Sequence, residues 1–186
     1  MKNVYFIIFI LLFGLRIISD LLTNPSNKKN PYTTQKKGKI SLLVLIDCFV
    51  ISGLAVGFFL FFAKTINLYY YLFGIFLWTF GFVGRLIAIR TIGKSYSQYI
   101  EVSPDNKLVT SGIYSIVGHP LYMFYILEMT AFLLIKFNYV SIGAMVLVII
   151  ASLYRIKEED RLLSEKFKDQ FYTYSKKTKR LIPFIY

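Results

Sequence analysis

Five apolar stretches decide what this chain can fold into: VYFIIFILLFGLRIISDLL (4–22), ISLLVLIDCFVISGLAVGFFLFFA (40–63), INLYYYLFGIFLWTFGFVG (66–84), PLYMFYILEMTAFLLI (120–135) and YVSIGAMVLVIIASLY (139–154). Each approaches or exceeds the roughly 17–25 residues that a helix needs to cross hydrocarbon. Hydrophobic residues make up 56% of the chain, beyond the roughly 45–50% of soluble domains, and the mean hydropathy is +0.56. Open strands would leave backbone groups unpaired in lipid, and the runs lack the alternation of a barrel. The expected fold class is therefore all-α, a polytopic membrane protein with about five transmembrane helices.

The first run opens MKNVYFIIF, in the manner of a secretory signal, but no small-residue cleavage pattern follows and Arg16 and Asp20 interrupt it. These two stand four apart, so they share a helix face and can neutralise each other against a neighbouring helix. The remaining charge sets an orientation. With the N-terminus outside, 18 Lys and Arg lie in cytosolic segments, Arg85, Arg90, Lys94 and Lys107 among them, against Lys2, Lys64 and Lys136 outside. The positive-inside rule then puts the N-terminus outside and the C-terminus in the cytosol. Topology and attraction to an anionic lipid bilayer account for the net charge of +12, so no nucleic-acid partner is expected.

Cys48 is the single cysteine and His119 the single histidine. No internal disulfide is possible, no CxxC occurs, and an ordinary transition-metal site has no support. Residues 23–39 read as a polar loop. Short connections near 64–65 and 136–138 suggest antiparallel hairpins of the second with the third helix and of the fourth with the fifth. The chain divides into 1–84, holding helices 1–3, and 85–186, holding helices 4–5 and two polar blocks, 85–119 and 155–183. The second block prolongs the fifth helix, where Leu163, Phe167, Phe171 and Tyr174 draw an apolar stripe for the membrane surface or the helix core.

Taken singly, the polar residues have ordinary explanations. Gly118-His119-Pro120 can simply start the fourth helix, since proline favours the first turn and pushes its predecessor toward extended backbone. Arg155 and Glu159, four apart, can be a surface ion pair of little energetic weight.

In combination they say more. GKSYSQYIEV (93–102), KLVTSGIYSIVGHPLY (107–122), YRIKEEDRLL (154–163) and FYTYSKKTKRLIP (171–183) resemble, in order and spacing, the isoprenylcysteine carboxyl methyltransferase family of integral-membrane, S-adenosylmethionine-dependent enzymes. The resemblance covers about the last hundred residues and rests on LVxxGxY, HPxY and a later Arg-x-x-x-Glu together. It implies a cytosolic cofactor site at the last helical hairpin, with S-adenosylmethionine held by Glu101, Asn106, Lys107, Leu108, Val109, Tyr114, His119, Pro120, Leu121, Tyr122 and Glu159. Arg155 would face the substrate carboxylate, with His119 beside the reacting groups. The implied partner is a lipophilic or prenylated methyl acceptor, and no obligate protein partner is implied.

The family usually carries Arg immediately before HP, where this chain has Gly118; either another basic residue such as Arg90, Lys94 or Arg180 takes the place of the missing guanidinium, or the acceptor differs. A carboxylate acceptor is already ionised at neutral pH and requires no strong base, whereas an amine would need one, with His119 or Glu158 nearest. Related phospholipid N-methyltransferases and sterol reductases share parts of this region. The alternatives are thus an N- or S-methyltransferase of phospholipids or small molecules, a membrane reductase, or a non-catalytic membrane protein.

Overall fold

The structure, a computed structural model, describes residues 2–23, 37–100 and 107–181. Five helices account for most of them: α1 (Lys2–Thr23), α2 (Lys37–Phe61), α3 (Leu68–Ile92), α4 (Pro120–Ile135) and α5 (Tyr139–Lys177). Four are long and apolar enough to cross a membrane, and Pro120–Ile135 is a shorter apolar helix. Among the described residues there is no β-strand, only an isolated parallel bridge of Val117 with Lys179.

Local chemistry sets several boundaries. The side-chain oxygen of Asn67 accepts from the backbone N–H of Tyr69 and Tyr70 and starts α3, and Asn138 does the same for Ser141 at the start of α5. Pro120 occupies the first turn of α4, as its fixed φ favours. Gly93, at φ 57°, ends α3 in a backbone conformation that side chains disfavour. In α5 the helix is broken at Lys168, which has φ 43° without being glycine and redirects the last two turns.

The α4–α5 hairpin packs together as its short connection suggests, but the α2–α3 hairpin does not. Although α2 and α3 are joined by a few residues, α2 lies chiefly along α5 and α3 along α4. The α3–α4 contact is close because α3 offers bare backbone there. A Cβ on Gly74 would come within 2.6 Å of the Ile135 side chain, and one on Gly81 within 3.1 Å of the Phe124 carbonyl. Small residues permit such approach in lipid, where packing and polar contacts, more than the hydrophobic effect, hold helices together. The core carries Phe13 stacked on Phe49 at 5.5 Å, with Phe132 5.1 Å from Phe49.

Arg16 and Asp20 pair within α1, as their spacing predicts, and a larger network surrounds them. Arg16 Nε donates to Glu128 Oε2 of α4 at 2.8 Å, and Arg85 of α3 pairs with Asp20 and stands 3.8 Å from Glu128 Oε1. Arg85 therefore is not a cytosolic loop residue: α3 runs past position 84 to Ile92, and burial of this guanidinium is offset by two carboxylates. Similarly, α2 begins at Lys37, inside the stretch expected as loop.

Candidate functional site

The doorway of α4 is built by backbone pairing with the chain's last described turn. Gly118 N–H donates to the Lys179 carbonyl at 2.7 Å and His119 N–H to that of Arg180 at 2.9 Å. His119 caps α4 by position only, making no side-chain cap, so its ring is available to α5. There Nε2 lies 2.8 Å from Asp160 Oδ1 and Nδ1 lies 3.4 Å from Glu159 Oε2. One turn along α4, the Tyr122 hydroxyl donates to Glu159 and accepts from Arg155 Nε at 3.0 Å. A continuous polar chain thus runs from Arg155 through Tyr122, Glu159, His119 and Asp160 to Arg180, whose Nε lies 3.0 Å from Asp160 Oδ2.

Burial by itself would push the imidazole's pKa down, but hydrogen bonds to Asp160 and Glu159, with their charge, raise it from 6.5 to about 9. The two carboxylates thus favour the protonated imidazole. Both ring nitrogens face carboxylates, and only the doubly protonated ring donates to both.

Two cavities flank this chain. The first, about 120 Å³, is lined by aromatic and aliphatic groups such as Tyr96, Tyr99, Leu162 and Phe167, and by polar His119, Glu159 and Lys107. The second, about 260 Å³, lies among α1, α2 and α4, with Ile17, Leu21, Leu45, Ile46 and Phe49 as apolar wall and Arg155, Arg16, Arg85 and Asp20 as polar end. Tyr96, Ser97, Leu121, Tyr122 and Glu159 line both, so the cavities meet at the Tyr122–Glu159 contact.

Of the residues singled out from sequence, Lys107, Leu108, Val109, Tyr114, His119, Pro120, Leu121, Tyr122 and Glu159 converge on the first cavity. Glu101 and Asn106 lie outside the described residues. Arg155 lines the second cavity and is 3% exposed, which overturns the surface-pair reading. Its guanidinium joins three segments, donating to the Tyr122 hydroxyl, to Ser41 Oγ at 3.3 Å and to the Gln98 carbonyl at 2.7 Å. The stripe on α5 faces inward here: Leu163, Phe167 and Tyr174 line the first cavity, and Tyr174 donates to the Tyr114 carbonyl at 2.8 Å. Of the three substitutes for an Arg before HP, Arg180 is the one beside the motif.

Asp160, Gln98 and the Asp20–Arg85 pair were not legible beforehand. A charge at position 128, inside an apolar run, was the one available signal, since a carboxylate in lipid demands a partner.

The model of the isoprenylcysteine carboxyl methyltransferase (ICMT) family matches residues 72–165, half of the chain, including HPLY and both Arg155 and Glu159. The chain belongs to the ICMT family. It is 28% identical over 116 residues to protein-S-isoprenylcysteine O-methyltransferase B of Arabidopsis thaliana, covering 61% of this chain and 59% of that protein. It shares the fold of a eukaryotic intramembrane Ras methyltransferase ICMT, with TM-score 0.59 and 24% identity over 82% of this chain and 55% of the other. In both cases the match spans less than two thirds of the relative's own length. In this ICMT-family chain the tail lies against Gly118, through the backbone bonds to Lys179 and Arg180.

Proposed function

We propose that the protein is a membrane methyltransferase that uses S-adenosylmethionine to O-methylate the carboxylate of an isoprenylcysteine-like or other lipophilic acceptor. One observation carries the reading: a mixed aromatic and polar cavity and an apolar, arginine-ended cavity meet at Tyr122 and Glu159. The first cavity fits the cofactor chemically. Its aromatic walls suit a purine, its charged groups suit an amino-acid moiety, and the Tyr114 hydroxyl is buried without a hydrogen-bond partner among the described residues, as a polar ligand would correct. His119, Tyr114, Lys107 and Glu159 would hold it. When bound, S-adenosylmethionine supplies an electrophilic methyl group whose transfer leaves a neutral thioether.

The protein's own task is then alignment and exclusion of water. Arg155 would hold the acceptor carboxylate by a forked, charge-assisted contact at the inner end of the second cavity. Its own placement is fixed by Tyr122, Ser41 and Gln98. Tyr122 would keep Arg155 and Glu159 in register, tying acceptor side to cofactor side. The acceptor oxygen is already ionised, so no proton moves during transfer, and alignment of the reactants can contribute roughly 7–11 kcal/mol in favourable cases.

The test is transfer of a labelled methyl group to an S-prenylated N-acetylcysteine and to a lipid extract, with mass spectrometry of the product. A base-labile methyl ester is the expected product. An N-methylated lipid, or NADPH-dependent reduction with no transfer, would overturn the proposal. His119→Ala and Glu159→Ala should each weaken S-adenosylmethionine binding about tenfold or more, the effect of a lost charge-assisted hydrogen bond. Calorimetry on folded variants checks this, and unchanged affinity would remove both from the cofactor site. For orientation we propose N-terminus outside and active site cytosolic. Cysteine labelling should find positions 23–39 and the C-terminus accessible from the cytosol and position 136 from outside, and the reverse pattern would refute it.

A further inference from the structure

We propose that Arg180 is a positioning residue for His119, acting through Asp160, so that the chain's C-terminal turn sets the charge and placement of the histidine that faces the first cavity. The significance for catalysis rests on that cavity being the cofactor site. The geometry itself does not.

Asp160 divides its two oxygens between two cations. Oδ1 takes His119 Nε2 at 2.8 Å, and Oδ2 takes Arg180 Nε at 3.0 Å. Neither Asp160 nor Arg180 lines either cavity, whereas His119 does, so any influence of theirs on a ligand passes through the imidazole. The backbone adds a second tie between the same partners, since His119 N–H donates to the Arg180 carbonyl at 2.9 Å. The tail packs directly on Gly118: a Cβ there would stand in van der Waals contact, 3.4 Å from the Lys179 carbonyl and 3.9 Å from Arg180 Cα. The tail occupies the side of the doorway where position 118 has no side chain, and brings its guanidinium with it.

An exposed ion pair would be the plainer account, because the Arg180 side chain is 56% exposed. Such pairs add little to stability, so a melting temperature would not separate the two. The charge on His119 does. Besides Asp160 and Arg180, the groups facing that ring are Glu159 from α5 and Tyr122 from α4, with Arg155 behind them. Arg180 draws on the same carboxylate that holds the imidazolium, so removing it should tighten that hold, and removing Asp160 should release it. Because the folded value lies above the unfolded 6.5, the stabilisation from protonated His119 is complete below that pH and is lost as pH rises through about 9.

A single histidine makes the measurement unambiguous. The full chain, purified in detergent through a tag without histidine and labelled at histidine, is titrated by NMR as wild type, Arg180→Gln, Arg180→Met, Arg180→Lys and Asp160→Asn. The two neutral Arg180 variants should raise the imidazole midpoint by about half to one pH unit, Arg180→Lys should stay near wild type, and Asp160→Asn should lower it by one unit or more. Two neutral variants guard against failure of one to fold. A midpoint unmoved in either folded neutral variant would return Arg180 to the surface. So would an Arg180→Lys shift as large as that of Arg180→Gln. The titration needs neither cofactor nor acceptor, so it stands or falls separately from methyl transfer.

Discussion

Arg155→Lys should lower turnover about ten- to a hundredfold at saturating S-adenosylmethionine while leaving cofactor affinity nearly unchanged. Lysine keeps the charge but lacks the planar fork that would fix a carboxylate's orientation, and a misaligned acceptor reacts slowly. The buried setting sharpens the expectation. Arg155 is anchored from α4 by Tyr122, from α2 by Ser41 and from the segment after α3 by Gln98, so a lysine could not serve the three partners together. Arg155→Ala should do more, leaving buried acceptors unsatisfied at about 1–3 kcal/mol each and loosening the convergence of three segments. Methyl transfer alongside calorimetric cofactor binding checks both variants. Normal turnover in Arg155→Lys would exclude a forked contact with the acceptor and reopen the identity of the accepting group.

Loss of Glu128 should be the most damaging single change to stability. Glu128 is 0% exposed and opposes both Arg16 and Arg85, leaving Asp20 alone against two guanidinium groups once it is gone. Breaking a buried pair from one side costs about 3–5 kcal/mol, because the surviving charge stays uncompensated. Glu128→Ala should therefore show a large fall in its unfolding midpoint in detergent. The double variant Arg16→Met with Glu128→Met, which leaves Arg85 paired with Asp20, should regain most of it. If the single variant melts within about 1 kcal/mol of wild type, the network is not sealed from water and does not fasten α1 to α4.

What could be read from sequence alone follows from how local each signal is. Apolar runs and the Pro120 start of α4 depend on neighbours along the chain, and those elements stand where expected. Arg16 and Asp20 were visible as a pair because four residues on a helix make one face. Arg85 and Glu128 complete that network across three helices, and only the α3–α4 approach, permitted by Gly74 and Gly81, brings them in. Family motifs located Glu159 and His119, but the imidazole's second partner is the next residue, Asp160, whose role depends on how the ring turns. Nothing in KFKDQF announces the break at Lys168, where no glycine or proline stands, yet that break turns Tyr174 back to Tyr114 and brings the tail to Gly118. The turn of α2 toward α5 likewise has no local cause.

The shortness of α4 bears on where an acceptor must travel. Its 16 residues climb about 24 Å, roughly 6 Å less than the thickness of a bilayer's hydrocarbon layer. Were α4 to stand upright in a bilayer with its far end, at Lys136, level with one boundary, the end at His119 would stop short of the other. On the proposed function, a lipid-anchored acceptor could then present its polar terminus to this depth while its tail stayed beside the apolar wall that α1 and α2 give the second cavity. Turnover would not require lifting the anchor into water. The methyl ester that the proposed reaction forms, having lost the carboxylate's charge, would already stand in the medium that suits it.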